Sequence, residues 1–130
     1  MNQEIILFKD ECYLIQGAIF DVYKEMGCGF LEAVYHECMI REMELRGIPF
    51  DTHKALDLSY KGVPLVQKFI PDFICYGQII VEIKAVKQIM PEHQAQLLNY
   101  LKAAKMKLGM IVNFGAHPQV DIDRKINKHI

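Results

Sequence analysis

The stretch Gln78-Ile79-Ile80-Val81-Glu82-Ile83-Lys84 constrains the fold more than any other part of the chain. Its β-branched residues favour an extended backbone. Ile79, Ile80, Val81 and Ile83 fall on both sides of such a strand, which predicts a central strand covered on both faces. Two charged residues, Glu82 and Lys84, sit in it nonetheless. Charge at buried strand positions is costly unless it is paired or bound to a metal. The remaining residues must therefore supply a layer for each face and a reason for the charges.

The hydrophobic period along the chain supplies the layers. Cys12, Ile15, Ile19, Val22 and Met26 recur at three- and four-residue steps and predict a helix over 11–26, stopped by Gly27-Cys28-Gly29. A second helix is predicted over 31–46, with Leu31, Val34, Cys38 and Leu45 on one side and Gly47 and Pro49 after it. From residue 50 the period becomes two. Residues 55–60 and 63–70 read as a hairpin about Lys61-Gly62, and 72–76 and 78–84 as another about Gly77. Met90-Pro91-Glu92 opens a third helix with Leu97, Leu101 and Ala104 as its stripe. A short apolar strand, 109–114, closes at Gly115. Beyond Pro118 the chain is polar and basic, without a clear period. This order predicts an α/β domain with a mixed central β-sheet flanked by helices. The third helix is placed to be a crossover that sets its two neighbouring strands parallel.

At 130 residues the chain reads as a single domain spanning 1–130, and 52% hydrophobic with 24% charged residues is a globular composition. No strongly apolar run exceeds four residues. A membrane-spanning helix needs about 20, so none is expected. Met1-Asn2-Gln3-Glu4 lacks the basic start of a secretory leader, and the expectation is a cytoplasmic protein. Cys12, Cys28, Cys38 and Cys75 form no CxxC pair and read as core residues or idle thiols. His36, His53, His93, His117 and His129 form no HExxH, which leaves a zinc hydrolase without ligands. The net charge is −1, but residues 1–83 carry seven Lys or Arg against thirteen Asp or Glu, and residues 84–130 carry eight against three. The basic third is compatible with an anionic ligand and equally with a solvated lysine face.

The charges in the central strand gain a partner from the hairpin. If the turn is centred on Gly77, Asp72 and Glu82 lie equally far from it and face each other, side by side on one face of the sheet. Lys84, two residues beyond Glu82, projects to the same face. Adjacent carboxylates repel unless something positive lies between them. A hard cation, Mg²⁺ or Mn²⁺, takes such oxygen ligands and keeps several waters. A nearby lysine can position a water and neutralise charge growing on a phosphate. The plainer alternative is a cross-strand ion pair on a solvated face, worth about 0.2–1 kcal/mol. Gln96 and Tyr100, four apart, share a face of the third helix. Glu32 and Tyr35 are similarly spaced on the second, with His36 following. By themselves these pairs fit a surface hydrogen bond and a core tyrosine as well as a site.

Taken in order, the motifs are recognisable. Gly29-Phe30-Leu31-Glu32-Ala33-Val34-Tyr35 matches GxxExxY, Pro71-Asp72 with Glu82-Ile83-Lys84 matches PD-(D/E)xK, and Gln96-Leu97-Leu98-Asn99-Tyr100 matches QxxxY. From about Tyr13 to Gly115 the chain resembles the GxxExxY protein family, a branch of the PD-(D/E)xK nuclease-like superfamily. The resemblance implies a restriction-endonuclease-like core and a metal-dependent nuclease acting on DNA or RNA. It implies that Asp72, Glu82 and the main-chain carbonyl of Ile83 bind Mg²⁺ or Mn²⁺, and that Lys84 is the catalytic lysine. It places Glu32 in or near the metal shell, and has Gln96 and Tyr100 orient the lysine, the water or the phosphate. The alternative is a non-catalytic nuclease-like module that binds nucleic acid or a protein partner through Lys102, Lys105, Lys107, Arg124, Lys125 and Lys128. A homodimer is compatible with either, and a membrane partner with neither.

Overall fold

The strand expected over 78–84 lies in the middle of a five-stranded sheet in the computed structural model, which describes residues 7–128. Met1–Glu4, read above for a leader, and His129 fall outside the described residues. In chain order the elements are α1 (Lys9–Met26), α2 (Glu32–Arg46), β1 (Phe50–Thr52), β2 (Leu56–Tyr60), β3 (Val63–Phe69), β4 (Phe73–Cys75), β5 (Ile79–Lys84), α3 (Pro91–Ala104), β6 (Leu108–Asn113) and β7 (Asp121–Ile126). The sheet runs β1-β4-β5-β6-β7, and β2 with β3 forms a separate hairpin. Only β5 and β6 are parallel, because α3 carries the chain back between them. The result is a mixed α/β architecture of the restriction-endonuclease-like kind.

Both expected hairpins form, and for a local reason. Lys61 and Gly62 take φ of 48° and 80°, and Tyr76 and Gly77 take 56° and 67°. Turns with two left-handed residues match the twist of the flanking strands.

The two faces of β5 bury different layers. Ile79, Val81 and Ile83 pack with Ile15 and Ile19 of α1 and Met39 and Met43 of α2. Ile80, with Ile111 of β6, packs against Leu97 and Leu101 of α3 and Phe69 of β3. By strand alternation Glu82 and Lys84 share the α3 face with Ile80.

The buried side of α2 is Tyr35, Met39 and Met43, not the expected Leu31, Val34, Cys38 and Leu45. Leu31 and Leu45 are 78% and 82% exposed. The rotation of the helix is set by Tyr35, whose ring stacks on Phe114 at 4.6 Å, and long methionines fill the space below it. Leu31 is the N-cap and lies outside the helix. Neither β1 nor β7 was expected. Both are edge strands, β1 only three residues long and β7, Asp-Ile-Asp-Arg-Lys-Ile, polar as edges tend to be. The four cysteines are free, with Cys12 and Cys75 in the core, and burial pushes the Cys75 thiol up to about 12. Among the described residues no helix is long and apolar enough to cross a membrane.

Candidate active site

The β4–β5 register pairs Cys75 with Ile79, Ile74 with Ile80 and Phe73 with Val81. One step further places Asp72 opposite Glu82, as expected from a turn centred on Gly77. There the backbone ladder ends and side chains replace it. The N–H of Asp72 donates to Glu82 Oε1 at 3.2 Å, and the N–H of Ile83 donates to Asp72 Oδ2 at 2.7 Å. Each carboxylate is thus held by the other strand's main chain through one of its two oxygens.

Glu82 and Lys84 line a cleft of about 290 Å³ that Gln96, Tyr100, His93 and Lys68 also line. The two helix residues expected to share a face therefore meet the two strand residues expected to share one. Tyr100 is anchored by stacking on Phe69, with ring centroids 4.1 Å apart and planes within 10°. Asp72 and Glu32 do not line the cleft, but electrostatics ties them to it. Burial and then the neighbouring charge of Asp72 push the Glu82 carboxyl up to about 7, with Glu32 adding to the shift and Lys84 opposing it. Glu32 is raised as well, by burial first and by Asp72 second. Three carboxylates thus repel one another around one lysine.

The plainer reading, a cross-strand ion pair, does not describe this geometry. Among the described residues the ion pairs involve Arg46, Lys68 and Lys125, and none includes Asp72, Glu82 or Lys84. Nor do three His, Cys, Asp or Glu side chains among those residues stand close enough to hold an ion by themselves. The donor set nonetheless suits a hard cation, which takes one or two carboxylates and fills its other positions with carbonyls and water. Negative charge gathered in a partly buried place, which raises the Glu82 carboxyl through burial and the charge of Asp72, is what such an ion relieves. Ile83 reaches the site through its main chain, its side chain being fully buried.

Two supports were not foreseen as such. Tyr35 of the GxxExxY motif points into the core, where its hydroxyl donates to the Gly27 carbonyl at 2.5 Å and accepts from the Phe30 N–H at 3.2 Å. It pins the loop before α2, so that the helix begins at Glu32. Asn113, fully buried and opposite Lys84 on β6, clamps the residues that follow the lysine. Its Oδ1 accepts from Val86 N–H and Gly115 N–H, both at 3.0 Å, and its Nδ2 donates to the Val86 carbonyl at 2.9 Å. A Cβ on Gly115 would come within 2.3 Å of that carbonyl, so only glycine fits.

His93 and Lys68 were missed as lining residues. The signal for His93 was its position three before Gln96 and seven before Tyr100, one helical face. Its Nδ1 accepts from the Met90 N–H at 3.0 Å, which leaves Nε2 as the protonated nitrogen. Lys68 pairs with Asp57 across the β2–β3 hairpin. Two of the basic residues proposed for a binding surface lie away from this cleft. Lys105 and Lys107 border Gly77 and Gln78, at the opposite end of β5 from Lys84.

The family model of the PD-(D/E)XK nuclease superfamily matches residues 9–125, from the start of α1 to the penultimate residue of β7. The chain belongs to that superfamily. Comparison with curated proteins and with solved structures returns no match.

Proposed function

We propose that the protein is a metal-dependent nuclease that hydrolyses phosphodiester bonds of DNA or RNA. The observation that supports this reading is the Asp72–Glu82 pair, cross-braced side by side where the β4–β5 ladder ends, with Glu82 lining a cleft shared with Lys84, Gln96 and Tyr100. Asp72, Glu82 and the Ile83 carbonyl would hold Mg²⁺ or Mn²⁺, with Glu32 at the margin. The ion supplies Lewis-acid polarisation of the scissile phosphate. The chain's own groups do the rest. The Lys84 ammonium orients the attacking water and neutralises charge that grows on the phosphate. The Gln96 amide and the Tyr100 hydroxyl hold the phosphate in line, and His93 offers a fixed Nε2–H donor from the same helix face.

The test is cleavage of single-stranded, duplex and branched DNA and of RNA by purified protein, with Mg²⁺ or Mn²⁺ and with EDTA. Cleavage that needs the metal and is lost in Asp72→Ala, Glu82→Ala and Lys84→Ala, with the fold retained, is expected. No turnover on any substrate overturns the reading. Salt-sensitive, metal-independent binding in its place would identify a non-catalytic module.

A further inference from the structure

A chain of two polar residues, His36 and Thr52, ends on the Asp72 carbonyl. Thr52, at the end of β1, pairs with Phe73 and so sits one position from Asp72 across the strand. Its Oγ1 lies 3.1 Å from the Asp72 carbonyl oxygen. His36, on α2 one turn after Glu32, brings Nε2 to 3.4 Å from the same Oγ1. The imidazole cannot swing away freely. It stacks on Phe73, with centroids 4.4 Å apart and planes within 17°, and on its other neighbour His53 at 5.3 Å.

The proton count fixes the direction of this chain. A carbonyl only accepts, so the single hydroxyl proton of Thr52 goes to Asp72. The contact with His36 then requires Nε2 to carry a proton and donate to Oγ1. The order is His36 Nε2–H to Thr52 Oγ1–H to Asp72 carbonyl. Asp72 needs such a hold. It lies just past the β4–β5 ladder, where its N–H already goes to Glu82 and its carboxylate to Ile83. The carbonyl is the remaining polar end of the residue, and without Thr52 it would be the one end unfixed.

We infer that His36 and Thr52 are positioning residues that hold the Asp72 peptide from α2 and β1 and so set the angle at which its carboxylate meets Glu82. Neither touches the cleft. Their effect on metal affinity rests on the reading of Asp72 as a ligand. Their effect on the Asp72–Ile83 hydrogen bond does not.

The experiment follows both effects in the full chain. Thr52→Val keeps the shape and removes the hydroxyl; Thr52→Ser restores it. In metal-free protein the Ile83 amide of Thr52→Val should exchange with solvent roughly five-fold faster, the size set by one lost hydrogen bond, while the Val112 amide in mid-sheet does not change. Nitrogen NMR of wild type should show His36 protonated at Nε2, and Mn²⁺ should bind Thr52→Val roughly five-fold more weakly. Thr52→Ser should behave as wild type in all three. An unchanged Ile83 amide, one that speeds up only in step with Val112, or a His36 protonated at Nδ1 alone overturns the inference. So does Mn²⁺ binding as tightly to Thr52→Val as to wild type. A wild type that binds no Mn²⁺ but whose Ile83 amide responds as stated supports the positioning role and removes the nuclease reading instead.

Discussion

Asp72 and Glu82 are cross-braced: each carboxylate accepts an N–H from the other's strand, at 2.7 Å from Ile83 and 3.2 Å from Asp72 itself. The brace keeps two like charges together that would otherwise separate, and its cost appears in the titration of Glu82. Burial and Asp72 push that carboxyl from 4.5 up to about 7 in the folded chain. Below pH 4.5 both the folded and the unfolded chain hold the proton, and Glu82 costs nothing. As pH rises through 4.5 to 7 the unfolded chain releases it first, so stability falls over that window and is level above it. The loss is at most about 3 kcal/mol. Metal-free Glu82→Gln should therefore melt with wild type at pH 4 and several degrees above it at pH 8. Saturating Mn²⁺ should raise the melting temperature of wild type at pH 8 more than that of the variant. Parallel melting curves at both pH values would refute this account.

On the proposed reading, a change at Lys84 should separate catalysis from metal binding. The lysine faces the same cleft as Glu82 but forms no ion pair there, and its charge lowers the titration of Glu82 only as a minor contribution. Lys84→Ala should lower kcat at least about 100-fold, as expected when a group that stabilises developing charge is removed. Mn²⁺ affinity, measured by titration calorimetry, should stay the same or rise, since a cation beside the site is gone. A parallel fall in both would make the lysine a part of the binding site.

The proposed reading gives Tyr100 a duty in the cleft beside its packing, and two substitutions divide them. Its ring stacks on Phe69 and ties α3 to the β2–β3 hairpin, while the residue also lines the cleft with Gln96. Tyr100→Phe keeps the stack, so it should lower kcat roughly ten-fold with little change in melting temperature. Tyr100→Ala should lose about 2 kcal/mol of stability as well. Equal stability of the two variants would show that the stack contributes nothing.

Much of this site was legible in the sequence because β pairing is a matter of counting. A turn centred on Gly77 fixes the partner of every residue on both sides, so Asp72 and Glu82 could be placed together before any coordinates. The α3 face was legible for the same reason: Gln96 and Tyr100 are one turn apart. The rotation of α2 was not. Its inward face depends on Tyr35 meeting Phe114, nearly 80 residues later in the chain, and no local period records that contact. The spacing allowed Tyr35 to be a core residue, as it is, but did not show that it fixes where the helix starts. The placing of the lysines in the last third was not legible either. Their charge was plain, but α3 carries Lys105 and Lys107 back to the far end of β5.

Asn113 gives the last prediction, one that joins the fold to the site over a distance. It is buried, opposite Lys84, and makes three hydrogen bonds to the backbone of Val86 and Gly115. Asn113→Ala leaves those groups buried without partners, each worth about 1–3 kcal/mol if water cannot reach them. A total loss of about 3 kcal/mol is expected, read from urea unfolding, because relaxation lets some of them find solvent. Asn113→Asp keeps the two accepted bonds but replaces the donor to the Val86 carbonyl with a charge, so it should be no more stable than the alanine variant. The clamp starts two residues after Lys84, so the damage should also reach the cleft. At a denaturant-free temperature where Asn113→Ala is still folded, kcat should fall while Mn²⁺ affinity holds, because Asp72 and Glu82 brace each other through their carboxylates, whereas the Lys84 carbonyl is held by the N–H of Phe114, between Asn113 and the clamped Gly115. A fall in Mn²⁺ affinity equal to the fall in kcat would mean that the clamp supports the whole sheet end rather than the lysine.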